Sequence, residues 1–115
     1  MGTLRWNEVE REQMNPLLAR QVIHGVNTTL ARLEITKGAV VPLHSHVNEQ
    51  MSVMLKGKLL FVVDGVESIV AAGEVMVIPP NAPHLVEALE DSLVFDVFSP
   101  MRADWLNGDD AYLRK

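Results

Sequence analysis

Short runs rich in valine, isoleucine, leucine and methionine, each closed by glycine, proline, asparagine or aspartate, follow one another from Leu17 to Phe98. Runs so short and so closely punctuated suit strands joined by tight turns better than helices. The spacing places strands near 18–24, 28–36, 40–46, 50–55, 58–63, 66–71, 74–78, 84–89 and 92–98. Asp64-Gly65, between LLFVV and VESIV, reads as a two-residue hairpin turn in which both residues take positive φ. Only the stretch from about Arg102 to Arg114 looks helical, and weakly so. LLFVV and VMVI are apolar at consecutive positions, so both faces of those strands need cover. An all-β domain of this kind puts two curved sheets face to face, and the outer face of one is expected to be covered in a homodimer.

The chain of 115 residues reads as one domain, with a core of about 17–100, an N-terminal arm 1–16 and a C-terminal tail 101–115. It has no cysteine, so any metal must be held by imidazole, carboxylate or amide. The net charge of −5 and the scattered Arg and Lys leave no basic patch for phosphates, which argues against a nucleic-acid partner. The opening MGTLRWNEVEREQMNP is charged, and no later stretch is long and apolar enough to span a bilayer. A cytoplasmic protein with no membrane partner is expected.

The segment Gly38 to Gly57, GAVVPLHSHVNEQMSVMLKG, sets His44 and His46 one residue apart. On a strand, alternate side chains share a face at about 7 Å, close enough for two imidazoles to hold one ion. The same parity carries the face on to Gln50, Ser52 and Met54 if the turn at Val47-Asn48-Glu49 keeps register, and Glu49 then faces away. A further histidine, His84, follows Gly73, Pro79 and Asn81 at regular intervals. The strand ending SLVFDVFSPMRADWL carries a second oddity, Asp96 in an otherwise apolar run with Val94 and Phe98 on its face. A carboxylate there is desolvated unless paired, and Arg102, just past Ser99-Pro100, is the nearest candidate partner. His24, Trp6 and the methionines read as packing residues, while the parity of Arg20 leaves its direction open.

The two glycine-bounded segments resemble the paired motifs of the cupin superfamily, G-x5-H-x-H-x3,4-E-x6-G and G-x5-P-x-G-x2-H-x3-N. Gln50 stands at the glutamate position, Asn81 replaces a glycine and Ala88 replaces the final asparagine. The resemblance implies a double-stranded β-helix, or jelly-roll, barrel with a short helical C-terminal segment. It also implies one divalent transition metal ion (Ni, Zn, Mn, Fe, Co or Cu) on His44, His46, Gln50 and His84, with Glu49 left as an alternative to Gln50. Four neutral donors would leave the ion its full charge, which favours an anionic ligand.

The run DVFSPMRADWL, with RQVIHG, TLARLEITKGAVVPLHSHVNEQ and the Gln ligand, is similar to the KdgF family of pectin-degradation cupins. That resemblance implies conversion of 4,5-unsaturated monouronates, from pectin or alginate, into linear keto-sugars. It gives His44, His46, Gln50 and His84 to the metal, Asp96 and Arg102 to catalysis, and Phe98 and Arg102 to an anionic sugar substrate. The alternatives are a sugar-binding cupin without turnover and a metal-dependent dioxygenase.

Overall fold

A computed structural model describes residues 2–115. Its strands are β1 (Glu12–Asn15), β2 (Leu18–His24), β3 (Thr29–Ile35), β4 (Val40–His44), β5 (Glu49–Lys56), β6 (Lys58–Val63), β7 (Val66–Ala71), β8 (Val75–Ile78), β9 (His84–Ala88) and β10 (Ser92–Ser99). A short helix, α1 (Ala103–Leu106), and a 3-10 turn at Ala111–Leu113 follow. No helix among the described residues is long and apolar enough to cross a membrane.

The strands form two antiparallel sheets, a six-stranded one in the order β1-β2-β3-β10-β5-β8 and a four-stranded one in the order β4-β9-β6-β7. Between them lies one apolar cluster, in which Met54, Leu59, Phe61, Ile78 and Val94 are almost fully buried. Alternation does the sorting: β10 reads buried at every second residue from Ser92 to Phe98, and β3 does the same from Thr29 to Ile35. These are the two facing sheets that the punctuation predicts, in the jelly-roll form that the cupin resemblance implies.

The turn chemistry follows the sequence closely. Asp64 and Gly65 take φ of 50° and 79° and close β6 on β7, while Asn81 sits at 64°, a conformation that asparagine tolerates better than most residues. The structure adds one strand to those the sequence places: Glu12–Asn15, in the N-terminal arm, pairs with β2 and forms an edge of the larger sheet. Its sequence, EQMN, has no apolar alternation, and only Met14 is buried, so pattern reading had little to detect.

Candidate metal centre

Two strand registers assemble the site. His44 at the end of β4 lies opposite His84 at the start of β9, in the smaller sheet. In the larger sheet, Gln50 of β5 lies opposite Phe98 of β10, and Ser52 lies opposite Asp96. His46 stands in the connection between β4 and β5, where its carbonyl accepts the Asn81 N–H at 2.8 Å and ties that connection to the turn before His84.

One ligand nitrogen from each of His44, His46 and His84 falls within 4.8 Å of the others, a spacing that three donors to one ion require. Their outer nitrogens fix the tautomers. His44 Nδ1 donates to the Pro42 carbonyl at 2.8 Å, His84 Nδ1 to the Ala82 carbonyl at 2.8 Å, and His46 Nδ1 to the Asn48 carbonyl at 3.1 Å. A carbonyl only accepts, so each neutral ring carries its hydrogen on Nδ1 and turns an unprotonated Nε2 inward. His84 Nε2 is buried with no partner at all, an orphan that a bound cation would satisfy.

Gln50 points the same way. Its Nε2 donates to Ser52 Oγ at 3.0 Å, and Ser52 in turn donates to Asp96 Oδ1 at 2.6 Å. That chain turns Gln50 Oε1 toward His46 Nε2, 3.1 Å away. Two acceptors then face each other, a repulsive contact until a cation lies between them. A proton is a poor substitute, since burial, above all other influences, lowers both His44 and His46 to about 4. His84 is lowered for the same leading reason. Gln50 is buried and Glu49 exposed, so of these two neighbours it is the amide that faces the imidazoles.

Asp96 and Arg102 lie in the same chamber, but they are not hydrogen-bonded to each other, which corrects the expected pairing. The β5–β10 register hands Asp96 the Ser52 hydroxyl, and Arg102 turns to a nearer carboxylate, with Nε and Nη2 on Asp104 at 2.9 and 2.8 Å. Burial pushes Asp96 up to about 6, while the Ser52 hydrogen bond and the Arg102 charge work against the rise. Arg102 is 1% exposed. Burial works against its charge, but Asp104 and Tyr112 outweigh that and raise its pKa above the ordinary value. Its guanidinium lies 4.7 Å above the Phe98 ring, and Phe98 meets His46 edge-on at 5.6 Å, so the phenylalanine forms a wall between imidazole and guanidinium.

Two residues that the sequence did not single out, and a third that it placed only on the histidine face, complete the surroundings. Asp104 aims Arg102, Ser52 links Gln50 to Asp96, and Tyr112 stacks on His44. His24 Nδ1 is hydrogen-bonded to the Thr29 hydroxyl, whose oxygen accepts the Arg102 backbone N–H. Arg20, whose direction was open, is buried beneath Trp105 and paired with Glu12 and Asp110.

The profile of the cupin domain matches residues 31–98, a span holding the three imidazoles, Gln50 and Asp96. The chain is a cupin. This cupin is similar to the pectin degradation protein KdgF of Dickeya dadantii (strain 3937), 28% identical over 103 residues that cover 87% of this chain and 94% of that one. Among solved structures it resembles KdgF from Halomonas sp., with a TM-score of 0.84 and 28% identity over 91% of this chain and 99% of that one. An RmlC-like cupin from Shewanella frigidimarina NCIMB 400 gives 0.85 at 26% identity, over 91% and 96%. The donor set of the cupin fits a divalent transition metal ion: three inward imidazole nitrogens, one of them buried without any other partner, and an amide oxygen.

Proposed function

We propose that this cupin opens and ketonises 4,5-unsaturated monouronates released from pectin or alginate, giving linear keto-uronates. The observation that carries the reading is a buried acid and a buried guanidinium beside an uncharged metal-binding donor set, in a chain similar to two KdgF proteins. His44, His46, Gln50 and His84 would hold a divalent ion, which when bound supplies Lewis-acid stabilisation of negative charge on oxygen.

The chain's own residues then have distinct tasks. Arg102 binds the substrate carboxylate through Nη1, its one terminal nitrogen without a hydrogen bond, since Nη2 already serves Asp104 and Tyr112. Phe98 walls the ring. Asp96 takes the proton of the anomeric hydroxyl as the aldehyde forms and the bond from the anomeric carbon to the ring oxygen breaks. It returns that proton to C4, where the enol collapses to the ketone. One proton leaves oxygen and one arrives at carbon, so the reaction is an isomerisation and needs no co-reactant. A carboxyl poised near 6 suits both halves of that transfer.

Loss of the enol-ether ultraviolet absorbance of unsaturated galacturonate reports turnover. Metal-loaded wild type is expected to accelerate it, with Asp96→Asn and Arg102→Ala each slower by about a hundredfold or more. The acid limb of kcat/KM is expected at or below about pH 6, because Asp96 must begin unprotonated. Variants that clear the substrate as fast as wild type overturn these roles.

A further inference from the structure

The Tyr112 hydroxyl oxygen receives two hydrogen bonds, from Arg102 Nη2 at 2.9 Å and from Trp105 Nε1 at 3.1 Å. Neither partner can accept, so the hydroxyl's own hydrogen must go elsewhere, and it has no acceptor among the described residues. Accepting two bonds also polarises an O–H and strengthens it as a donor. The ring is held in place by His44, stacked with centroids 4.4 Å apart and planes at 29°, and Tyr112 lines the same chamber as Asp96 and His84.

Arg102 has a matching vacancy. Its Nε and Nη2 are engaged, while Nη1 makes no hydrogen bond and, unlike Arg20 Nη1, is not sealed from the chamber. Nη1 shares its carbon with the nitrogen that bonds the phenol, so the free N–H donors and the free O–H lie within reach of one carboxylate.

We propose that Tyr112 is a substrate-binding residue whose O–H, side by side with Arg102 Nη1, clasps the carboxylate of a sugar acid. The proposal rests on the uronate reading for the class of ligand, and the tyrosine belongs to the C-terminal segment, outside the span matched by the cupin profile. Phenylalanine at this position would keep the stack on His44 and remove the donor, together with the oxygen that accepts from Arg102 and Trp105.

The test compares wild type and Tyr112→Phe, both metal-loaded, by calorimetric titration with galacturonate and by steady-state kinetics with unsaturated galacturonate. The expected result is unchanged metal content, galacturonate affinity weaker by about tenfold, KM raised in proportion and kcat within about threefold. Equal galacturonate affinity in the two proteins overturns the proposal, and so does loss of metal and kcat together, which would mark a structural role. If wild type binds galacturonate but leaves the unsaturated acid unchanged, the ring-opening reading fails, and the affinity comparison still decides Tyr112. Wild type that binds no galacturonate sinks both. Should the variant not fold, a crystal structure of wild type with galacturonate decides, and a carboxylate out of hydrogen-bond reach of Tyr112 Oη counts against the proposal.

Discussion

Each of the three imidazoles gives one nitrogen to a backbone carbonyl and keeps the other bare, so the folded chain resists protonating them. That resistance gives acid stability a sign. His44 and His46 bind a proton at about 4 in the folded chain and His84 is also lowered, whereas an unfolded histidine takes one near its ordinary value of 6.5. Between these limits the unfolded state holds more protons, and stability falls as pH falls. Asp96 acts in the opposite sense, being raised from 3.8 to about 6, but one carboxyl stands against three rings. Metal-free protein is therefore expected to lose at least about 5 °C of Tm between roughly pH 7 and pH 4.5. A flat Tm across that window, followed by scanning calorimetry after chelator treatment, overturns the picture of neutral, inward-facing rings.

Among the elements, the turns between strands repay attention because their glycines are not equivalent. Gly38 and Gly57 both bound the first histidine motif, with φ of 92° and 87°. A side chain at Gly38 would meet open space, whereas one at Gly57 would run into the Asp91 carbonyl and the Ser92 side chain. Alanine at 38 is expected to cost about 1 kcal/mol of backbone strain, and alanine at 57 more than about 2 kcal/mol. Equal denaturation midpoints for the two variants would contradict this. What the sequence disclosed belongs to this scale. Alternation along one strand separates Gln50 from Glu49, because it is a property of neighbouring residues, whereas His84 joins His44 in the sequence only through the resemblance to the cupin motifs. The pairing of β10 with β5 is not such a property, so Ser52 was legible as a member of the face but not as the partner of Asp96. Tyr112 was hidden for a related reason, since its place beside His44 depends on how the last turn packs across the barrel mouth.

For the whole molecule, the outer face of the larger sheet presents Met51 and Leu55 of β5 and Val75 and Val77 of β8, each between 41% and 52% exposed. Met51 pairs directly with Val77, and Val53 with Val75, so these apolar side chains form a continuous patch. A second copy of the chain is its expected cover, and Val77→Glu is expected to convert a dimer into a monomer by light scattering. Wild type that runs as a monomer at high concentration would remove that expectation. Within one copy, the donors come from both layers, with His44 and His84 in the smaller sheet and Gln50 in the larger. An ion held by all of them would be a rivet through the sandwich: its coordination bonds would set the distance between the two walls at the mouth, and the joint proposed to draw in a sugar acid would also keep the halves from sliding apart.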